Sequence, residues 1–252
     1  MRSARLDRQH VAVVAVFLLA VLAAWMGVSR LEIIDPLILP DLGAVTIRLV
    51  EMSTTAALWE SLAVTTLRIL AAFAIAMVAG LLIGVPIGRS RGTSLAYTPL
   101  LANLSAVPLF ALYPVLLLVF GIGDASKIAF GTLNGFFPIV LAAIAGASAV
   151  PNNLMLAARA MGASRLQQLV TVIIPGALAE ILAGLRLGLA LCTLAVFGGE
   201  ILGSTAGLGY RLAVASETYL SVDVYAYVLT ALILTAVLSI ALSLIIRSIS
   251  RK

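Results

Sequence analysis

The residues of this chain best placed to do chemistry are two charges inside apolar runs, Arg68 in "SLAVTTLRIL" and Glu200 in "AVFGGEILG". An ionised group in hydrocarbon is costly, so each needs a partner, an aqueous path or the interface. Arg68 falls early in its run and Glu200 near the end of its own. That placement allows an ion pair between them, contact with a solute on its way through, or outward snorkelling. Arg186 sits a few residues inside the opposite end of the Glu200 run and reaches the interface by snorkelling. The rest of the inventory is sparse. His10, the only histidine, precedes the first apolar run, and Cys192, the only cysteine, has no partner for a disulfide or thiolate site. Cys192 reads as a small packing residue. The apolar runs hold no carboxylate pair or metal cluster, which argues against an intramembrane hydrolase. "GIGDASK", Gly121 to Lys127, is the nearest approach to a P-loop, but that motif needs glycine directly before its lysine and Ser126 stands there. It reads as a tight glycine turn.

The elements that must position these residues follow from composition. Only 11% of the 252 residues are charged and mean hydropathy is +1.16, whereas a soluble domain carries about 25% charged residues. The chain reads as one all-α integral membrane domain. Apolar length predicts six transmembrane helices at 11–28, 62–87, 97–119, 128–149, 181–203 and 224–246. The first resembles a secretion signal, but its length exceeds the usual apolar core of about 7 to 15 residues, so it is expected to be retained. Residues 1–57 would then hold the first helix and an external connector, and 58–252 the other five helices with a loop at 150–176.

An even number of spans puts both termini on one side. On that side lie Arg2, Arg5, Arg8, Arg89, Arg91, Arg159, Arg165, Arg247, Arg251 and Lys252, against only Asp7 and Glu180. The other side holds Arg30, Arg48, Lys127 and Arg211 against Glu32, Asp35, Asp41, Glu51, Glu60, Asp124, Glu217 and Asp223. The positive-inside rule therefore predicts cytoplasmic termini. The net charge of +5 follows from this topology and points to no nucleic acid.

On the cytoplasmic side, Pro151 and two asparagines open a short helix, and Gly162 supplies the left-handed residue that ends it. Ser164 and Gln167 form a capping box for a second helix through Leu166, Leu169, Val170 and Ile173, which Pro175 is expected to interrupt. Such a unit would expose Arg159, Arg165 and Gln168 beside an apolar stripe, the form of a docking knob for another protein or of an interfacial helix pair. Elsewhere, Gly80, Gly84 and Gly88, Gly131 and Gly135, and Gly184 and Gly188 repeat small-xxx-small spacing that serves close packing within the subunit or between subunits. Pro86, Pro108, Pro114 and Pro138 permit kinks.

The spacing Ala157-Ala158, three residues, Gly162, nine residues, Val172-x-Ile174-Pro175 resembles the "EAA" loop of permease subunits of bacterial ATP-binding-cassette importers. Leu156 replaces the motif glutamate. From about Leu58 to Arg247 the chain is most similar to the nitrate, sulfonate and taurine group, through "PLLANLSAVPLFALYPVLLLVFGIGDASK" and "GLRLGLALCTLAVFGGEILGSTAGLGYRL". The resemblance implies the type I importer permease fold in a multi-pass protein of the bacterial inner membrane. It implies a homodimer, two copies of a cytoplasmic ATPase that bind ATP and Mg, and an external substrate-binding protein. This chain would bind no cofactor. Ala157, Ala158, Arg159, Gly162, Ala163, Ser164, Arg165, Gln168 and Pro175 would form the segment that couples to the ATPase. Asn103, Phe110, Tyr113, Asn134 and Phe137, with Arg68 and Glu200, are the candidates for the substrate path. The segment Arg30–Met52 reads as a plain amphipathic connector or as a lining of the outer surface where a binding protein docks, and the resemblance makes the loop 203–225 part of the external vestibule and gate, with Glu217 and Asp223 available to a partner's basic residues. A secondary transporter is the competing class, but it calls for midplane coupling-ion groups and often a repeat, and the sequence offers neither.

Overall fold

In hydrocarbon a backbone N–H or C=O without a partner costs several kcal/mol, and a helix avoids this by bonding within itself. Accordingly, helices are the regular elements among the described residues. A computed structural model describes residues 2–31 and 33–249; Glu32, Arg251 and Lys252 lie outside them. In chain order come α1 (Arg2–Arg30), α2 (Leu42–Ser53), α3 (Ala56–Arg89), α4 (Arg91–Ser105), a 3-10 turn at Leu109–Leu112, α5 (Tyr113–Phe120) and α6 (Asp124–Ala149). There follow α7 (Asn152–Ala160), α8 (Arg165–Gln168), a π-helical turn at Leu169–Ile173, α9 (Ile174–Gly176), α10 (Leu178–Leu202), α11 (Leu208–Glu217) and α12 (Ser221–Ile249).

Among the described residues α3, α6, α10 and α12 are long and apolar enough to cross a bilayer. The expected span 97–119 is bent at Pro108, one of the prolines read as permitting a kink. Its residues divide between α4 and the stretch Leu109–Phe120, which meet at 73°. Pro108 causes the break, because it has no N–H to donate and its ring excludes the carbonyl four residues back. The α4 end therefore tightens, with Ala106 N–H on Asn103 O and Val107 N–H on Leu104 O, and Pro114 opens α5 in the first turn, where proline is tolerated. The expected first span lies within α1, whose side chains at residues 1–12, 14, 15 and 18 are outside the described set.

The chain forms two compact units. In the first, residues 1–59 with 212–230, Trp25 donates to Pro40 O at 3.0 Å and packs on Tyr225 with ring centroids 5.1 Å apart. The expected connector Arg30–Met52 contains α2, capped by Asp41, which accepts from Gly43 N–H. Asp223, expected to be available to a partner, is instead held by Arg48, whose Nε and Nη2 reach its two carboxylate oxygens at 2.6 and 3.1 Å. The hydrogen bonds from Arg48 to Asp223 and then to Glu51 push the guanidinium pKa further up.

In the second unit, residues 60–211 with 231–252, α6 packs against both α3 and α10, and the small residues make this possible. A Cβ placed on Gly84 would lie 2.7 Å from Ala143 Cβ, and one on Gly80 2.7 Å from Ile139 Cγ2. On the α10 side a Cβ at Gly188 would lie 2.6 Å from Ile139 Cδ1, and fully buried Cys192 directs Sγ to Gly131 O at 3.2 Å. The glycine stripes thus serve packing within the subunit. Gly84→Val is expected to destabilise by about 1–3 kcal/mol or more, since the obstacle includes Val140 backbone that cannot swing aside. Thermal unfolding in detergent checks this, with Gly27→Val, where no atom lies within 4 Å of the new Cβ, expected to be nearly silent.

Candidate functional site

Two arrangements stand out, about 30 Å apart along α3 if one counts from Arg68 to Arg89 at about 1.5 Å per residue. The first is the segment 151–176. Pro151 precedes α7 with φ −61° and ψ 135°, and the helix turns Met155 and Ala158 inward. Gly162 has φ +78°, a conformation that costs an L-residue about 1–2 kcal/mol. The turn closes as a Schellman motif, with Ala163 N–H on Ala158 O at 3.0 Å and Gly162 N–H on Arg159 O at 2.9 Å. Directly afterwards Ser164 and Gln167 form a reciprocal capping box, Ser164 N–H on Gln167 Oε1 at 2.7 Å and Gln167 N–H on Ser164 Oγ at 3.3 Å. Two satisfied caps back to back fix the angle between α7 and α8.

Two details differ from expectation. Gln168 is buried rather than exposed, because its Nε2 donates to Ala163 O at 2.8 Å and closes the turn from the inside. Pro175 does not interrupt the second helix. The chain widens into a π turn just before it, with Ile174 N–H bonding back to Leu169 O, and continues into α9. The exposed residues of the segment include Leu154, Leu156, Met161 and Leu166 with Arg159 and Arg165 between them. Ala157 is also exposed.

The second arrangement is a buried ion cluster. The Arg68 side chain is 5% exposed and that of Glu200 fully enclosed, with Nη1 to Oε1 at 2.8 Å. Arg68 Nε also donates to Asp124 Oδ1 at 2.8 Å, and Nη1 reaches Ala206 O at 2.8 Å. Glu200 accepts from Thr65 Oγ1 and from Gly209 N–H, both at 2.9 Å, while Thr65 Oγ1 accepts from Leu208 N–H at 2.8 Å. Gly207, at φ +103°, lets the loop 203–209 close over the carboxylate: a Cβ there would lie 2.6 Å from Glu200 Oε2. Buried charges persist when paired and hydrogen-bonded, and here every oxygen of Glu200 is engaged. The cluster's two hydroxyls, Thr65 and Ser204, are spent on hydrogen bonds to Glu200 and to Ala206 O. The cluster ties α3, the start of α6, α10 and the loop 203–209 into one joint. Lys127, expected as a loop charge, stands fully buried in the first turn of α6 and donates to Ile122 O in a short contact.

Of the remaining path candidates only Phe110 and Tyr113 share a neighbour. Phe110 and Tyr113 both pack on Phe130, with centroids 5.0 and 4.9 Å away, and the buried Tyr113 hydroxyl donates to Gly199 O at 2.6 Å. Asn134 spends its amide on Phe130 O of its own helix, Asn103 is exposed on α4, and Phe137 meets Phe136 edge to face. The sequence reading missed Asp124 and Thr65 as members of the cluster.

Comparison with known proteins places this architecture. Residues 76–252 match the family described as binding-protein-dependent transport system inner membrane component. The chain belongs to that family. It is 35% identical over 240 residues to the taurine transport system permease protein of Escherichia coli, covering 93% of this chain and 86% of the relative. To the putative aliphatic sulfonates transport permease protein of Bacillus subtilis it is 31% identical over 197 residues, or 78% of this chain and 71% of the relative. The fold is similar to that of one chain in a structure of the MetNI methionine ABC transporter, with a TM-score of 0.59 at 22% identity over 81% of this chain and 95% of that one. The chain is thus a multi-pass permease subunit of an ABC importer, a transport component that works with a separate ATPase and a binding protein.

Proposed function

We propose that this permease imports a small organic or inorganic anion of the taurine, sulfonate or nitrate kind across the bacterial inner membrane, after delivery by an external binding protein. It does so as a homodimer bearing two copies of the ATPase, which bind ATP and Mg. Six transmembrane helices with both termini in the cytoplasm complete the subunit. The observation that carries the reading is the double-capped turn at Gly162. It presents Leu156, Met161 and Leu166 with Arg159 and Arg165 on a surface of fixed geometry, as a helix that docks in a groove requires. Ala157, Arg159 and Arg165 face the ATPase, while Ala158, Gly162, Ala163, Ser164, Gln168 and Pro175 hold the shape. ATP-driven closure reaches α10 through the continuous π turn and α9. At the other end Arg68 and Glu200 hold the loop 203–209, and solute passes beside Asn103, Phe110, Tyr113, Asn134 and Phe137.

The choice of an anion rests on the relatives, at 35% and 31% identity. Proteoliposomes containing permease, ATPase and binding protein test it with labelled taurine, an alkyl sulfonate and nitrate. The expected result is ATP-dependent uptake of at least one, competed by the others according to their fit. Uptake of a neutral or cationic solute, with all three anions excluded, would contradict the proposal.

A further inference from the structure

We propose that the cavity between the α3–α4 turn and the start of α7 binds the phosphate of an anionic phospholipid headgroup. The cavity measures about 420 Å³ and brings together residues far apart in sequence, Arg89, Arg91 and Ser94 from one side and Ser148 and Asn152 from the other. Its lining contains no acidic residue. Among the described residues neither guanidinium makes an ion pair, unlike Arg48 and Arg68, so two positive charges face the space with no internal neutralisation. Ser148 Oγ donates to Gly88 O at 3.0 Å and lies 3.2 Å from Ser94 Oγ, so the Ser94 hydroxyl is the one that can turn to a ligand. Both α4 and α7 begin at this wall, with Arg91 and Asn152 as first residues; neither N-cap residue supplies a side-chain hydrogen bond, and in α7 the Leu154 N–H is taken by Asn153 Oδ1 at 3.0 Å. The positive ends of two helix dipoles therefore add to the two arginines. Arginine pairs with phosphate oxygens in a fork geometry.

The apolar surface beside the cavity selects the carrier of that phosphate. Leu95 lines the cavity and is 69% exposed, α4 buries none of its residues, and Pro99 and Ala102, one and two turns further along the Leu95 face, are exposed as well. A charged cradle at the foot of an exposed apolar helix fits an amphiphile: phosphate at Arg89 and Arg91, acyl chains along α4. A free anion would use the arginines but not the apolar face that Leu95 opens.

Native mass spectrometry of the intact permease, released from nanodiscs of equal phosphatidylglycerol and phosphatidylcholine, tests the assignment. The wild type is expected to retain phosphatidylglycerol at least about threefold over phosphatidylcholine, and Arg89→Gln with Arg91→Gln to bring that ratio near one. Arg91→Gln alone, at an exposed side chain without a partner, gives the reading if the double variant does not fold. In a second arm, millimolar inorganic phosphate is added. Partial displacement of the lipid by phosphate supports a phosphate cradle. Equal retention of the two lipids by wild type overturns the proposal, as does a ratio unchanged in the folded variant. Protection against heat by inorganic phosphate alone, with no lipid preference, would assign the cavity to a soluble anion and overturn the lipid.

Discussion

Arg68→Met is expected to lower the unfolding temperature of the purified permease by about 10 °C or more, whereas Asp124→Asn is expected to shift it by only a few degrees. The two substitutions remove opposite sides of one ion pair, so the contrast comes from burial. Without Arg68, Glu200 keeps Thr65 and Gly209 as donors but stays enclosed as an uncompensated anion, a loss of about 3–5 kcal/mol. Asp124 is 67% exposed, water replaces its partner, and the cost stays near 1 kcal/mol or below. Adding Glu200→Gln to Arg68→Met is expected to restore at least half of the loss, because a neutral amide can still accept from Thr65 and Gly209. Equal losses for Arg68→Met and Asp124→Asn would show that the cluster is not sealed as described.

Gly162→Val is expected to cut ATP-driven uptake by at least about tenfold while the bundle melts within a few degrees of wild type. No atom lies within 4 Å of a Cβ at this position, so the valine clashes with nothing, and its cost is confined to the backbone at φ +78°. A β-branched residue there pays about 1–3 kcal/mol, enough to favour an opened turn and misalign α7 against α8. Gly162→Asn separates geometry from volume, because asparagine tolerates the left-handed region. It is expected to retain most of the uptake. If asparagine and valine fail alike, the requirement at 162 is for a small residue and not for a left-handed one.

Features governed by neighbouring residues were legible in the sequence. Gly162 as the stop of α7 and the Ser164/Gln167 capping box depend on atoms within five residues, and both form as read. Charges in apolar runs were legible too, because their expense announces them, and Arg68 does meet Glu200. What escaped depended on distant packing or on competition within a turn. Asp124 joins Arg68 across 56 residues, and nothing local distinguishes it from other loop carboxylates. Gln168 has a polar side chain at a helix start, which usually means exposure, yet Ala163 O offered it an inward acceptor. Pro108 and Pro175 look alike in sequence and act differently: one breaks a span at 73°, the other is absorbed by a π turn. Periodicity could not say which, because the outcome depends on whether the preceding turn can widen.

The central claim is that the segment 151–176 is the surface on which the ATPase docks, and co-purification from mild detergent tests it most directly. Tagged wild type is compared with Met161→Asp plus Leu166→Asp, two residues 80% and 70% exposed whose change leaves the core untouched. The ATPase subunit is expected to accompany wild type and to be lost about tenfold or more from the variant, with both forms eluting as folded protein. The account is contradicted if the variant brings down as much ATPase as the wild type, or if the folded wild type brings down none.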